Sequence, residues 1–197
     1  MNGNFFIFLD RMKYISRWGL MRSAIPENVA EHSLQTAMLS HALAVIGVEM
    51  FGKDLNVDRI AAAAMYHDCS EILTGDMPTP VKYQNQGLRE AYKAVELDAK
   101  ERICDMLPEK LSECYRSYVC FEELSPEQYL YIKAADKLSA YIKCVYEEGA
   151  GNTDYKSAKE GLYISLTELS KKLPELEWFI QNVLPGYGMT VDELTRR

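Results

Sequence analysis

The sequence predicts an all-α protein, and three observations support this. Apolar residues recur at helical spacing along most of the chain, and no alternating run bounded by hairpin turns predicts a strand. Capping residues and prolines stand where helices would begin and end. The length of 197 residues fits one domain with a single sizeable core. We therefore expect one bundle over residues 1–197, with about seven to nine helices.

The N-terminal part predicts a short helix and then a long one. Apolar residues along Phe5–Met12 indicate an amphipathic helix, which gives way to the loop SRWGLMRSAIPEN. Asn28 is a predicted N-cap, and Glu31 completes a capping box with it. The helix that follows is apolar on most of its circumference, so we expect it to be central and to end near Gly47 and Gly52.

The middle of the chain predicts three further helices. One runs over Val57–Leu73 and is ended by the Gly/Pro-rich segment TGDMPTP. Another covers about Leu88–Met106, is stopped by Pro108, and is followed by a short polar helix. A third begins at Pro126, a favoured first-turn residue, and reaches about Glu148. Two more helices within residues 152–195 are expected to be peripheral.

Composition and charge exclude several classes of function. The net charge is −7 without a block of Lys or Arg, so a polymeric nucleic acid is not an expected partner. No apolar run approaches the roughly 18 residues of a membrane span, and the segment NFFIF lacks the features of a signal peptide. The expected compartment is the cytoplasm. Five cysteines without a C-x-x-C pair are expected to be small buried residues, not disulfides or zinc ligands.

The three histidines of the chain have different surroundings in the sequence. His41 lies on an apolar stripe and is expected to be a hydrogen-bonded core residue. His32 lies in the first turn of a helix, where backbone N–H groups favour an anion; a surface histidine that helps the cap is the alternative. His67 is followed directly by Asp68 near a predicted helix end, and Glu71 lies one turn later.

Asp136 makes the His-Asp pair more informative than it is alone. It falls within an apolar helix face, where an unpaired carboxylate would cost several kcal/mol or stay protonated. A salt bridge to Lys133 or Lys137 is one explanation, and a metal ion is the other. Two imidazoles and two carboxylates, from His32, His67, Asp68 and Asp136, suit Mn, Co, Fe, Ni or Zn better than Ca, with Cu competing in vitro.

These residues occur in an order that resembles the His, His-Asp, Asp pattern of the HD-domain metal-dependent phosphohydrolase superfamily. Within it the chain looks like the bacterial HD-type 5'-deoxynucleotidases (YfbR-like). The matching pieces are SRWGLMR, ENVAEHSLQTAM, AMYHDCSEILTGDMPTPVKY and IKAADKLSAYIKC. They span residues 16–144, and the block from His67 to Tyr83 is the most specific.

The resemblance implies a helical HD-domain bundle, usually a homodimer, that hydrolyses deoxyribonucleoside 5'-monophosphates with a divalent ion such as Co or Mn. It implies metal ligation by His32, His67, Asp68 and Asp136. It assigns phosphate binding and orientation to Arg17 and Trp18, and the catalytic neighbourhood to Glu71. The sugar would lie against the loop Asp76, Met77, Pro78 and Thr79. The ligands His32, Asp68 and Asp136 would also face the substrate.

Several alternatives remain open at this point. Taken alone, Arg17 reads as a surface cation, Trp18 as a core residue and Asp76 as a turn former. The same metal pattern also fits hydrolysis of a phosphodiester or a nucleoside triphosphate. A catalytically silent nucleotide-binding scaffold on the same fold is the alternative from a different class of protein.

Overall fold

The structure, a computed structural model, describes residues 4–82 and 84–196, and these residues form helices joined by loops. The predicted all-α class is confirmed. The α-helices are α1 (Asn4–Leu9), α2 (Val29–Phe51), α3 (Val57–Ala64), α4 (Glu71–Thr74), α5 (Thr79–Lys82), α6 (Gln86–Cys104), α7 (Glu109–Val119), α8 (Pro126–Gly149), α9 (Lys156–Ser170), α10 (Pro174–Asn182) and α11 (Val191–Thr195). Short 3₁₀ helices cover Asp10–Tyr14, Thr153–Tyr155 and Leu184–Gly186.

Helix α2 begins as the sequence predicts. The Asn28 side chain accepts a hydrogen bond from the Glu31 backbone N–H at 3.0 Å, and the Glu31 carboxylate accepts one from the Asn28 N–H at 3.2 Å. The helix ends at Gly52, whose left-handed backbone (φ 65°) caps it. Gly47 was expected near this end but lies inside the helix. A Cβ there would be 3.0 Å from the Tyr131 hydroxyl oxygen, so glycine permits α2 and α8 to approach.

Helix α2 is the central helix of the bundle, packed against α3, α8 and α10. By length and composition alone it could cross a membrane, although polar residues interrupt it and it contains no apolar run of about 18 residues. Of its most apolar window, 39% is buried inside the protein. Its buried side chains include the polar residues His32, Ser33, Thr36 and Ser40. The packing against three helices and these buried polar side chains are those of a core helix.

The helix predicted over Val57–Leu73 is interrupted after Ala64, in the part that carries His67 and Asp68. Helix α3 stops at Ala64, and tight turns follow, in which the N–H groups of Tyr66 and Cys69 bond to carbonyls three residues earlier. The His67 side chain contributes to the break, because its Nδ1 lies 2.8 Å from the Ala64 carbonyl oxygen and competes for the acceptor of the next helical bond. The turns change the directions of His67 and Asp68 from those on a regular helix.

The two C-terminal helices are less peripheral than expected. Leu166 of α9 and Leu176 and Phe179 of α10 are buried in the main hydrophobic core, together with residues of α2, α3 and α8. A second cluster joins α1, the segment after α3 and the α6–α7 pair. The predicted ligands His32, His67, Asp68 and Asp136 therefore lie on elements that are held by two apolar clusters.

Two other expectations need correction. His41 is exposed on α2 and is not a core histidine. Among the five free cysteines, Cys69, Cys104 and Cys144 are buried as expected, whereas Cys114 is exposed and Cys120 is half-buried.

Candidate metal centre

Three side chains from two parts of the chain form a compact group of metal-ligand atoms. One atom from each of His32, His67 and Asp68 lies within 4.8 Å of the others. The two Nε2 atoms of the histidines are 3.2 Å apart, and Asp68 Oδ2 is 3.1 Å from His67 Nε2 and 3.5 Å from His32 Nε2. Residues that are 35 positions apart in the sequence thus present their donor atoms to one point.

Hydrogen bonds on the far side of each ring fix which nitrogen faces the group. His67 Nδ1 must donate to the Ala64 carbonyl, which is only an acceptor. The Ser139 hydroxyl donates to Gln35 Oε1 at 2.6 Å, so it accepts from His32 Nδ1 at 2.9 Å. In the neutral rings both Nε2 atoms therefore carry a lone pair and no hydrogen. Two lone pairs facing each other at 3.2 Å, next to a carboxylate, are the arrangement that a cation would stabilise.

The charges around the group perturb its pKa values in different directions. Burial and the Arg17 guanidinium lower the pKa of His32, which favours the neutral ring. Burial acts the same way on His67, but Asp68 outweighs it and raises the pKa of that ring. Burial would raise the pKa of Asp68, yet His67 holds it far below its usual range. Asp68 is therefore a carboxylate with a permanent negative charge towards the cluster.

Asp136 reaches this group from α8. Its Oδ1 lies 3.2 Å from the unprotonated His32 Nε2, so both atoms can donate electron pairs to a cation, whereas Lys133 stacks on the Tyr129 ring with its Nζ 4.9 Å from the centroid. The Asp136 side chain is 44% exposed, against the expectation of a buried carboxylate. It therefore lies at the open side of the cluster, where solvent and a ligand have access.

Arg17 and Trp18 lie beside the cluster, on the loop before α2. Arg17 is 11% exposed, and its Nη1 is 3.4 Å from Asp68 Oδ2. Both residues donate to the same Glu27 oxygen, Arg17 through Nε at 2.9 Å and Trp18 through Nε1 at 3.0 Å. The surface-cation reading of Arg17 is therefore wrong, since its side chain is held between two carboxylates.

Trp18 has a strained backbone at this position, with φ 61°. A left-handed conformation in a bulky residue costs about 1–3 kcal/mol and is most often retained at functional sites. Burial raises the pKa of Asp76, and the nearby Trp18 backbone N–H acts against that rise, while the Trp18 ring packs on Tyr155 with centroids 5.1 Å apart. The Trp18 backbone thus lies near the loop after α4, and its ring lies against the segment after α8.

The Asp76–Thr79 loop and Glu71 complete the neighbourhood. Asp76, Met77 and Pro78 are half-buried, and Thr79 is exposed at the start of α5. Glu71, in the first turn of α4, is 6% exposed, and within the described residues its Oε2 has no hydrogen-bond partner. Tyr83, the end of the block that carries the resemblance, lies outside the described residues.

Sequence reasoning missed the residues that orient this group. Glu27 fixes Arg17 and Trp18, and Ser139 with Gln35 fixes the His32 ring. Glu27 stands one residue before the N-cap of α2, where an acidic side chain is common for helix reasons alone. Ser139 lies one turn after Asp136 on α8, which is the signal that could have placed it near the site.

Comparison with known proteins adds an independent line of evidence. The family model described as 5'-deoxynucleotidase YfbR-like matches residues 4–187. A 5'-deoxynucleotidase of Vibrio cholerae is 46% identical over 192 residues, which cover 98% of each chain. The 5'-deoxynucleotidase YfbR of Shigella boydii is 43% identical over 193 residues, which cover 98% of this chain and 96% of that one.

Solved structures support the fold at lower identity. An HD-domain phosphohydrolase from Listeria innocua superposes with a TM-score of 0.82 at 22% identity, covering 93% of this chain and 88% of that one. An HD phosphohydrolase of cyanophage S-2L, bound to dA and one catalytic Zn²⁺, has a TM-score of 0.64 at 23% identity, covering 91% and 95%. At these identities the two structures are evidence for the fold alone.

Proposed function

The chain belongs to the YfbR-like 5'-deoxynucleotidase family, and from this membership we propose that it hydrolyses deoxyribonucleoside 5'-monophosphates to a deoxynucleoside and inorganic phosphate. The observation that carries the proposal is the convergence of His32, His67 and Asp68 beside the Arg17 guanidinium. A metal-ligand group next to a buried cation suits a phosphoryl group, which has both negative charge and oxygen ligands to offer.

We propose that a divalent transition metal ion is held by His32, His67, Asp68 and Asp136. The donor set fits, because both histidine Nε2 lone pairs are directed to one point next to the two carboxylates. Imidazole and carboxylate ligands together suit Co and Mn as well as Zn, Fe, Ni or Cu, and we favour Co or Mn. When bound, such an ion lowers the pKa of water towards neutrality and neutralises charge on a phosphoryl group.

Arg17 is proposed to bind the phosphate, with Trp18 setting its orientation. Its Nε is occupied by Glu27, whereas Nη1 makes only a long contact to Asp68 at 3.4 Å, which leaves donors for phosphate oxygens. Because Glu27 holds the guanidinium before any ligand arrives, little side-chain entropy is lost on binding.

Glu71 is proposed to handle the proton of the reaction. Burial, followed by the charges of Asp68 and Asp76, raises the pKa of Glu71 to about 10 in the metal-free protein. It therefore holds a proton at neutral pH, which can pass to the departing sugar oxygen. A bound cation nearby would lower this pKa and allow the same group to accept a proton.

The loop Asp76, Met77, Pro78 and Thr79 is proposed to receive the sugar. The Asp76 carboxylate can accept a hydrogen bond from a 3'-hydroxyl, and the nearby Trp18 backbone N–H favours its charged form. Proline restricts the loop, so close packing against the 2'-carbon would exclude a ribose hydroxyl. A lower rate on ribonucleotides follows from this arrangement.

The experiment that tests the function is phosphate release from dAMP, dTMP and AMP with added Co²⁺ or Mn²⁺. We expect activity on the deoxynucleotides, and in Asp68→Ala a loss greater than the about 10- to 100-fold that removal of an outer-shell partner costs. Asp98→Ala is the matched control, since Asp98 is an exposed carboxylate on α6. Wild-type rates in Asp68→Ala would contradict the proposal. A preference for triphosphates or phosphodiesters would favour the alternative that the enzyme hydrolyses those substrates. Binding of nucleotides without turnover would favour a catalytically silent nucleotide-binding scaffold.

We also propose that the protein is a homodimer. Leu34 and Met38 on α2 are 59% and 66% exposed, and His41 lies on the same exposed face. Two large apolar side chains one turn apart on the central helix are suited to contact with a second copy. Light scattering should give twice the mass of one chain, and Met38→Glu should shift it to the mass of one.

The proposed location is the cytoplasm. The five cysteines are free, and three of them are buried thiols, as is usual for a reducing compartment. Cell fractionation tests this proposal, and recovery of the protein from an oxidising compartment would contradict it.

A further inference from the structure

We propose that Glu147 on α8 is a positioning residue for Arg17. It would act with Lys143 and Asn152 as a buried polar anchor that holds the loop of residues 16–28, here named the Arg17 loop. The inference rests on the proposed function, because that function gives Arg17 its phosphate.

Glu147 is fully buried, and both its oxygens accept hydrogen bonds from the Arg17 loop and its supports. Oε2 accepts from the Ala24 backbone N–H at 2.8 Å and from Asn152 Nδ2 at 2.7 Å. Oε1 accepts from the Ile25 backbone N–H at 3.0 Å and from Lys143 Nζ at 2.5 Å. The carboxylate thus has four donors, two of which are backbone groups of the loop.

The residues that support Glu147 also bind the loop themselves. Lys143 Nζ donates to the Ile25 carbonyl, and Asn152 Nδ2 donates to the Arg22 carbonyl at 2.7 Å. The hydroxyl groups of Tyr155 and Ser23 are 2.5 Å apart. Every loop residue from position 22 to 25 is therefore tied by a hydrogen bond to α8 or to the segment that follows it.

The Arg17 loop has little else to hold it in this region. Leu20 is 73% exposed and Ile25 is 46% exposed, so these apolar side chains do not anchor the loop in a core. At its other end, Ser16 pairs with Asn28 in an isolated antiparallel bridge, and the Arg17 N–H donates to the Glu27 carbonyl at 3.1 Å. The polar anchor and this bridge hold the two ends of the segment between them, and Glu27 binds the Arg17 and Trp18 side chains within it.

That segment contains the strained residue. Trp18 has φ 61°, a conformation that persists only where its surroundings impose it. Tyr155 links the anchor to Trp18, because its ring packs on the indole at 5.1 Å while its hydroxyl contacts Ser23. Loss of the anchor should let the backbone relax and carry Arg17 away from its place beside Asp68.

The chemistry of the anchor favours a positioning role over a purely stabilising one. A buried ion pair seldom stabilises a fold more than apolar residues of similar size would, so Glu147 and Lys143 are poorly explained by stability alone. Glu147 and Lys143 instead fix the backbone conformation of the loop, because a carboxylate that accepts from backbone N–H groups holds a segment without regular structure in one position.

The test is Glu147→Gln in the full-length, metal-loaded protein. Glutamine replaces one acceptor oxygen by an NH₂ group that faces donors, so it removes two hydrogen bonds with almost no change in volume. We expect the inhibition constant of inorganic phosphate and the KM for dAMP to rise about 10- to 100-fold, as displacement of a binding group by about 1 Å would cause. Inhibition by deoxyadenosine, which lacks the phosphate, should stay within about twofold.

A second readout reports on the loop without turnover. The chain has two tryptophans, so Trp178→Phe leaves Trp18 as the single indole. In that background we expect Glu147→Gln to increase acrylamide quenching of Trp18. Tyr155→Phe is a milder variant that removes the hydroxyl in contact with Ser23, and it should change phosphate inhibition and quenching in the same direction to a smaller extent.

Glu175→Gln is the matched control. Glu175 is also fully buried and is also paired with a lysine, Lys53 at 3.0 Å, and with the Tyr131 hydroxyl, but its partners lie outside the Arg17 loop. It should lower the melting temperature without a change in phosphate inhibition. An equal rise in the phosphate constant in Glu175→Gln would overturn the inference, because general destabilisation would then explain both variants.

The outcomes separate this inference from the proposed function. A wild-type protein that releases no phosphate refutes the function, while the quenching experiment still tests whether the anchor holds the loop. Active wild-type protein with unchanged phosphate inhibition and quenching in Glu147→Gln refutes the anchor alone. If Glu147→Gln does not fold, Asn152→Ser decides, because it removes the donor to Glu147 and to the Arg22 carbonyl, and wild-type values in it overturn the inference.

Discussion

At the scale of single residues, Glu71 combines a functional position with a cost in stability. The side chain is 6% exposed, and its Oε2 has no hydrogen-bond donor among the described residues. Burial first, and then the negative charges of Asp68 and Asp76, raise its pKa to about 10 from 4.5. These surroundings do not favour folding. They are typical of residues that take part in proton transfer.

We predict that Glu71→Gln stabilises the metal-free protein at pH 8 while it abolishes most of the activity. Between pH 4.5 and 10 the folded state keeps a proton that the unfolded state loses, so the free energy of unfolding falls as the pH rises through this window. Glutamine removes the ionisable group and with it this loss, and we expect a gain of about 1–3 kcal/mol, because the buried amide keeps a desolvation cost of its own.

Urea unfolding of the metal-free protein at several values of pH measures this effect. The wild type should lose stability from pH 6 to 9 more steeply than Glu71→Gln, and the two curves should converge near pH 4.5. Glu96→Gln, which changes a carboxylate paired with Lys82, serves as a control for charge removal. Parallel curves for the wild type and Glu71→Gln would contradict the raised pKa.

The sequence predicted which residue types meet, but not the groups that orient them. His32 stood out in the first turn of a helix, the His67–Asp68 pair near a predicted helix end, and Asp136 as a carboxylate on an apolar helix face. Glu27 and Ser139 carry no comparable signal, since each is an ordinary polar residue near a helix end or on a helix face. Their roles depend on contacts such as that between His32 and Ser139, which are 107 positions apart.

At the scale of elements, helix positions were predicted well and the functional interruption was not. The cap Asn28 and the first-turn residue Pro126 were recognisable because both signals are local to the first three or four residues of a helix. The stop of α3 at Ala64 was missed, because the His67 side chain that competes for the Ala64 carbonyl does so in a segment of good helix-forming sequence. Because the helix stops there, the side chains of His67 and Asp68 can lie in the metal-ligand cluster.

The packing of α2 on α8 gives a prediction at this scale. Gly47→Ala adds a Cβ at 3.0 Å from the Tyr131 hydroxyl and 3.3 Å from Leu55 Cδ1. The Tyr131 hydroxyl is itself bonded to Glu175 and cannot move freely. We expect a loss of about 1–3 kcal/mol in the free energy of unfolding, the usual cost of overpacking.

Gly161→Ala is the matched change on α9, an exposed helix position with open space around the new Cβ. There the greater helix propensity of alanine should stabilise the protein by about 0.5–1 kcal/mol. Chemical denaturation of the two variants gives opposite signs if close packing dominates at Gly47. A stabilised Gly47→Ala would mean that α2 and α8 are not in close contact there.

At the scale of the whole molecule, the fold gathers residues from the Arg17 loop, the start of α2, the turns after α3 and the middle of α8. These parts come together because α2 packs on both α3 and α8, and the C-terminal helices complete the same core. Ligands held by separate elements can be joined by one ion, so an ion that binds them links the stability of the site to that of the bundle.

We therefore predict that Co²⁺ or Mn²⁺ stabilises the whole protein and not only the site. An ion that binds the folded state alone, at about 100 times its Kd, adds about 2.7 kcal/mol to the free energy of unfolding. For a domain of this size the melting temperature should rise by about 5–10 °C. Differential scanning calorimetry with and without the ion measures this rise.

The variants decide where the ion acts. His67→Ala removes a lone pair directed at the cluster. Its melting temperature should rise no more with Co²⁺ or Mn²⁺ than that of the wild type rises with Mg²⁺, an ion that prefers oxygen ligands. Asp98→Ala, on the exposed face of α6, should respond as the wild type does. The chain carries 29 acidic residues, so an ion could also bind loosely at its surface. If the ion stabilises the wild type and His67→Ala equally, it binds at that surface. The metal centre would then not connect α2, α8 and the turns after α3.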